Sequence, residues 1–255
     1  MKFLFYLKFI FVSGIQLVFG QISSEALIKS IQKSNQELER RLTQQLATNP
    51  QSLELYSRRG DARMFLGNFA GARNDYERMI LINSSTEVSH WRLGIAYYYL
   101  GLFGKAARQF EIYHQFDSVD RENGIWRFMS QFKSKGLKAA RDGLLHYQKS
   151  DRPPYPLLYE MFAGRLEPEE VFLKIDQVDY PAKDRERVLF HACLYVGIYL
   201  ELVQNNQFEA KKLLKKAFEN QFGRATGTYM WQIARLHYFQ LRQKSPEETE
   251  KKETD

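Results

Sequence analysis

The sequence predicts an all-α protein built as an alpha-solenoid, a curved stack of helical hairpins with an N-terminal helix in front and a C-terminal capping helix behind. Small and aromatic residues recur at a spacing of 34 positions, and self-similarity at such a period marks a repeat array. Apolar residues follow helical spacing through most segments, and glycine or asparagine pairs separate them. The chain has 255 residues, 44% hydrophobic and 26% charged, with only 7 prolines, which is the balance of a folded chain able to bury a core without disulfides.

Composition also removes several function classes. A mean hydropathy of −0.48 excludes a multi-span membrane protein. The single cysteine, Cys193, cannot form an internal disulfide, although a lone buried thiol is compatible with an oxidising compartment. The 37 basic and 30 acidic residues give a formal charge of +7. No nucleic-acid partner is expected, because no groove-entering or base-stacking motif accompanies that modest surplus.

Residues 1–20 open with Lys2 and Lys8 and continue as an apolar run from Phe9 to Phe19 that is short for a membrane-spanning helix. They are expected to be a cleavable signal peptide. Val18 and Gly20 have the small side chains that signal peptidase selects, so the expected cut lies between Gly20 and Gln21, giving a periplasmic or secreted protein. An uncleaved signal anchor is the alternative. No lipid anchor is expected, since Gln21 stands where a lipid-bearing cysteine would be required.

Residues 21–49 hold an amphipathic helix, Ser24–Leu46, with Leu27, Ile31, Leu38, Leu42 and Leu46 on one stripe. The stripe either caps the first repeat or pairs with a second copy as a homodimer. Residues 50–150 carry the repeats. Aligning Gly60 with Gly94 superposes Tyr56 on His90, Gly67 on Gly101, Phe69 on Phe103, Ala72 on Ala106 and Tyr76 on Phe110. The expected helices are Leu53–Leu66 and Phe69–Ile82, then Glu87–Leu100 and Phe103–Phe116, with Ser84 to Glu87 spelling a capping box. Gly67 and Gly101 fall where a chain leaving a helix needs left-handed φ, which glycine adopts without strain. A degenerate third hairpin follows as Asn123–Lys133 and Leu137–Tyr147 around Gly136.

The segment Asp151–Pro156 reads as non-helical, so 151–183 is an irregular joint containing one short helix, Pro168–Ile175. Residues 184–243 supply a late hairpin, Asp184–Gln204 and Gln207–Phe222 about Asn205-Asn206, and a capping helix, Thr228–Gln243. The charged stretch 244–255 is expected to be disordered.

The two best units resemble tetratricopeptide repeats (TPR). They depart from that pattern at Arg59, Met79, Tyr113, Ser84 and Ser118. The order of parts is also similar to that of periplasmic TPR lipoproteins of enteric bacteria. That resemblance implies a non-catalytic adaptor or scaffold acting on cell-envelope or peptidoglycan enzymes.

By the same resemblance, a protein or peptide partner would lie on the concave face lined by the first helix of each hairpin. Ser57, Asp61 and Met64 would contribute from the first unit, Trp91, Ile95 and Tyr98 from the second, and Ile125, Met129 and Phe132 from the third. Lys211, Lys212, Lys215 and Lys216 form a second candidate surface, a basic strip one and four positions apart on one helix. No cofactor, metal site or catalytic group is expected. The five histidines are scattered, and Ser30-x-x-Lys33 and Ser130-x-x-Lys133 lack the companion motifs of a serine nucleophile. The rival reading is an envelope hydrolase, or its regulatory subunit, that uses carboxylates of the joint: Glu160, Glu167, Glu169, Glu170 and Asp176.

Overall fold

The computed structural model describes residues 23–244. The expected signal segment, its cut after Gly20 and the tail from Ser245 lie outside the described residues. Among the described residues there are twelve α-helices, one 3-10 helix and no strand. The first five helices are α1 (Ser24–Thr48), α2 (Leu53–Phe65), α3 (Phe69–Ile82), α4 (Trp91–Tyr99) and α5 (Phe103–Phe116). After them come α6 (Arg121–Asp142), α7 (Tyr155–Phe162) and α8 (Pro168–Asp176), then α9 (Ala182–Leu202), α10 (Gln207–Glu219), α11 (Gln221–Thr226) and α12 (Tyr229–Lys244).

The repeated residues act in matching pairs. Tyr76 and Phe110 are fully buried, and each ring lies over the glycine of the preceding helix, Gly60 or Gly94. A methyl group on Gly94 would sit 2.7 Å from Phe110 Cζ, so only glycine leaves space for the ring. Gly67 and Gly101 have φ of +79° and +73°. The turns are closed by paired bonds, Gly67 N–H to Met64 O (3.0 Å) with Asn68 N–H to Arg63 O (2.9 Å), and Gly101 N–H to Tyr98 O (3.0 Å) with Leu102 N–H to Tyr97 O (2.9 Å). These pairs satisfy carbonyls that a helix end otherwise leaves without donors.

Several expected boundaries move for identifiable reasons. The second unit begins at Trp91 rather than Glu87, because Asn83 caps a 3-10 helix over Ser84–Ser89 and His90 is non-helical at φ −92°, ψ 58°. The third hairpin is a helix broken at Gly136 (φ +82°, ψ 177°), and its second arm ends at Asp142 instead of Tyr147. Tyr147 leaves that helix and donates its hydroxyl to Asp120 O (3.1 Å). The joint contains α7 in addition to the expected α8. Pro156 stands in the first turn of α7, where a missing N–H costs nothing, so the proline-rich stretch starts a helix. The long second arm of the late hairpin stops at Glu219, and Asn220 accepts from Gly223 N–H (3.0 Å) to start α11.

The apolar stripe of α1 faces inward. Leu42 and Leu46 are buried, and Leu27, Ile28 and Ile31 pack against the core. Glu39 pairs with Arg63 (2.7 Å), Thr43 accepts from Arg59 (3.1 Å), and Ser24 at the far end accepts from Arg224 (3.4 Å). The departure at Arg59 has a partner too: Arg59 and Arg63 converge on Asp75, at 2.6 and 3.0 Å, and Asp75 is only 2% exposed.

The concavity is not open as expected, because α12 covers it. The Tyr229 ring stands against Phe65 (5.1 Å between centroids), and Arg235 donates to Phe65 O at the end of α2 (2.5 Å). His237 Nδ1 lies 3.1 Å from the Tyr99 hydroxyl on α4, and His237 Nε2 lies 2.6 Å from Glu201 on α9. Trp231, Ile233, Ala234 and Leu241 of α12 are each at most 2% exposed, and Trp231 stacks on Phe218 of α10, so apolar burial against α10 holds α12 in place.

Candidate functional site

The closure redistributes the nine residues expected on the open face. Met64, Ile95, Ile125 and Met129 have no exposure and Tyr98 has 7%, so these five belong to the core. They share one face of their helices as the spacing requires, but that face meets protein. Tyr98 packs edge-on against Trp126 (5.3 Å, 82°). Phe132 is half-buried and stacks on Phe128.

Ser57 and Asp61 remain partly exposed and are joined by a residue the spacing did not single out. Arg92 Nη1 donates to both Asp61 oxygens (2.8 and 2.6 Å), and its Nη2 donates to Ser57 Oγ (3.0 Å). The Tyr76 hydroxyl adds a bond to Asp61 Oδ1 (2.7 Å). Burial raises the Asp61 pKa, with Arg92 and Tyr76 opposing that shift.

Trp91 borders what is left of the hollow, a half-enclosed cavity of about 300 Å³ where α4, the start of α6, α9 and the α11–α12 junction meet. Trp126, Tyr229 and Phe222 form aromatic parts of its wall, Asp120, Glu122 and Arg152 its charged part, and His191 and Thr228 complete the lining. The polar groups are held by the local fold. Asp120 caps α6, accepting from Glu122 N–H (3.0 Å) and Asn123 Nδ2 (2.7 Å). Arg152 reaches Glu122 (3.2 Å), Asp151 (3.1 Å) and Asp120 (3.6 Å), with its guanidinium 4.4 Å above the Tyr155 ring.

Behind that wall the Tyr195 hydroxyl donates to Glu122 Oε1 (2.5 Å) and accepts from Trp126 Nε1 (3.1 Å). Burial, reinforced by the charge of Asp120, pushes the Glu122 carboxyl up to about 7. Burial, with Arg152 and Arg187 nearby, holds His191 down to about 3, so the ring is neutral, and its Nδ1 is occupied by the Tyr155 hydroxyl (2.8 Å). Sequence spacing gave no sign of this cluster. Its members come from positions 91, 120–126, 152, 191 and 222–230, and only the capping role of Asp120 has a local signature.

Four of the five joint carboxylates have structural partners. Glu160 pairs with Arg165 (2.5 Å), whose hydrogen bond lowers its pKa, the wrong direction for a general acid. Glu167 and Glu170 form the capping box of α8, and Asp176 pairs with Arg185 (2.6 Å). Burial pushes the Cys193 thiol up to about 11, which leaves it protonated and unreactive near neutrality. Among the described residues no group of three or more His, Cys, Asp or Glu side chains is placed to hold a metal ion, and no helix is long and apolar enough to cross a membrane. On α10, Lys212, Lys215 and Lys216 are exposed, Lys211 is half-buried, and Lys212 pairs with Glu209 (3.3 Å).

Hairpins at a 34-residue spacing, a ring seated on a glycine in each, and left-handed glycines at the turns define an all-α protein of packed helical hairpins, similar in architecture to tetratricopeptide repeats. Over 214 residues the chain is 22% identical to the lipoprotein NlpI homolog of Haemophilus influenzae, a match covering 82% of this chain and 65% of that one. The chain thus spans about two thirds of that relative's length. A crystal structure of a tetratricopeptide repeat protein from Parabacteroides merdae superposes with a TM-score of 0.47 at 14% identity, over 82% of this chain and 81% of that one. No family model matches the sequence.

Proposed function

We propose that the protein is a non-catalytic adaptor of the cell envelope that holds a segment of a partner protein at the cavity between α4, α6, α9 and the start of α12. The observation that carries this reading is the cavity's make-up. It is the unfilled part of the inner curve, and it joins tryptophan and tyrosine rings to an arginine, the residue types that dominate binding energy at protein interfaces. The envelope location is supported by the apolar N-terminal run of the sequence and by the lipoprotein description of the Haemophilus relative. An assignment to peptidoglycan-enzyme regulation rests on the family resemblance and belongs to the same proposal.

The test is capture of partners from envelope extract by the full chain and by Trp91→Ala and Thr228→Arg variants. Thr228 is half-buried at the cavity and its hydroxyl accepts from Trp231 N–H at the start of α12 (3.3 Å), so an arginine there fills the space at the cost of one cap bond, and Thr228→Val serves as the control for that bond. The proposal expects partners to be lost with both variants and retained with Lys215→Ala, which lies on the basic strip. Retention by both cavity variants would refute the site.

A further inference from the structure

We propose that the cavity recognises a positively charged side chain, the ammonium of a lysine or the guanidinium of an arginine, presented by the partner. This deepens the adaptor reading and rests on it.

The charge arrangement is the first argument. Three carboxyl groups, Asp120, Glu122 and Asp151, surround the single guanidinium of Arg152, and the other basic groups nearby are engaged elsewhere. The Arg121 guanidinium lies 4.8 Å over the Tyr147 ring and contacts Val119 O, Arg187 reaches Pro153 O and Asp184, and His191 is neutral. One guanidinium therefore serves three carboxyl groups. The upward displacement of the Glu122 pKa fits a buried site short of positive charge.

Acceptor capacity is the second argument. Each carboxylate offers about four acceptor positions. Glu122 uses acceptor positions for the Tyr195 hydroxyl, Arg152 and the nearby Tyr155 hydroxyl, and Asp120 uses one for Glu122 N–H and one for Asn123 Nδ2. Both retain acceptor positions, and both residues line the cavity.

The wall opposite in chemistry supplies the third argument. Trp91, Trp126 and Tyr229 border the same space, where aromatic carbon can accept the methylene stem of a long basic side chain and attract its cation, as the Arg92 guanidinium 5.9 Å over the Trp91 ring already does. Rings and carboxylates together select a cation on an aliphatic arm. An anionic or purely apolar group would leave the carboxylates without compensation.

The experiment titrates the full chain with Nα-acetyl-lysine methylamide, with its uncharged isostere Nα-acetyl-norleucine methylamide, and with Nα-acetyl-glutamate methylamide. Tryptophan fluorescence is read in a Trp231→Phe background, since Trp231 stacks on Phe218 away from the cavity lining. The lysine compound should give a saturable change, with the norleucine compound at least about tenfold weaker and the glutamate compound inactive. Glu122→Gln and Asp120→Asn remove the charge at nearly constant shape and keep one acceptor oxygen each, which at position 120 can still cap Glu122 N–H. Each should weaken binding of the lysine compound by more than a Thr228→Ser control of the cavity rim does, with melting curves showing that the variants are folded. Equal response to lysine and norleucine compounds, or preference for glutamate, would overturn the inference. If that happened while Thr228→Arg still abolished partner capture, the chemistry would be wrong and the site right. Loss of lysine binding in Thr228→Arg with partner capture intact would instead sink the adaptor site.

Discussion

The Tyr229 ring stands edge-on to Trp91, with centroids 4.9 Å apart and planes at 80°. Each is the first residue of its helix, α12 and α4, so the contact joins the last helix to the second repeat. Tyr229 also meets Phe65 edge-on at the end of α2, and one ring thus ties α12 to both repeats.

Tyr229→Ala should consequently act on the closure as a whole. Loss of two aromatic contacts and of a large half-buried ring is expected to cost about 2 kcal/mol. Hydrogen exchange should accelerate in α2 and α4 as well as in α12. Faster exchange confined to α12 would show that the repeats stand without it.

The glycines separate into two classes that substitution can distinguish. At Gly94 a methyl group collides with the Phe110 ring, so Gly94→Ala is expected to cost about 2–3 kcal/mol through overpacking. At Gly101 nothing lies within 4 Å of an added Cβ, so Gly101→Ala meets only left-handed backbone strain of about 1 kcal/mol. Urea denaturation of both variants tests the ranking, and a larger loss at Gly101 would contradict it.

Asp75 anchors two arginines in a nearly dry setting. Asp75→Ala strands Arg59 and Arg63 and is expected to cost about 3 kcal/mol or more. Arg63 retains Glu39, so most of the penalty belongs to Arg59. The double variant Arg59→Leu, Asp75→Leu should recover much of the loss, because two apolar side chains fill the site without leaving a buried charge unpaired. A double-mutant cycle with additive losses would disprove the coupling.

His90 links stability to acidity. Both of its ring nitrogens are buried without a hydrogen-bond partner, and burial, with Arg92 nearby, holds its pKa down to about 4. The unfolded chain takes up a proton below its ordinary 6.5 and the folded one does not. Stability is therefore lost as pH falls from 6.5 toward 4, by about 1.4 kcal/mol per pH unit for this residue. His191, held to about 3, acts in the same direction. Glu122 opposes them, since its raised pKa contributes stability that is full below 4.5 and lost as pH rises through about 7. His90→Phe should stabilise the protein more at pH 5 than at pH 7 in urea denaturation. Equal gains at the two values would mean that the histidine is not kept neutral by the fold.

What could be read from the sequence was local. Phe69–Ile82 and Phe103–Phe116 match α3 and α5 at both ends because turn glycines and the first buried rings fix those boundaries within a few residues of each other. The capping-box pattern at Ser84 misled because Asn83, one residue earlier, caps first. Helix α7 was hidden by prolines that block a helix interior but suit its first turn. The candidate site was largely illegible for a different reason. Helical spacing says which side chains share a face, as with Met64 and Ile95, but whether that face is covered depends on residues such as Arg235, which contacts Phe65 from 170 positions away.

The seat of Arg235 on the end of α2 limits how this architecture can change. A stack with two loose ends can be lengthened or trimmed by a hairpin, since each unit touches only its neighbours. Here α12 is clasped to the end of α2, so a hairpin inserted between them would have to prise the two apart, and deleting α12 would uncover the first hairpin. Exchanging side chains around the residual cavity leaves that clasp in place.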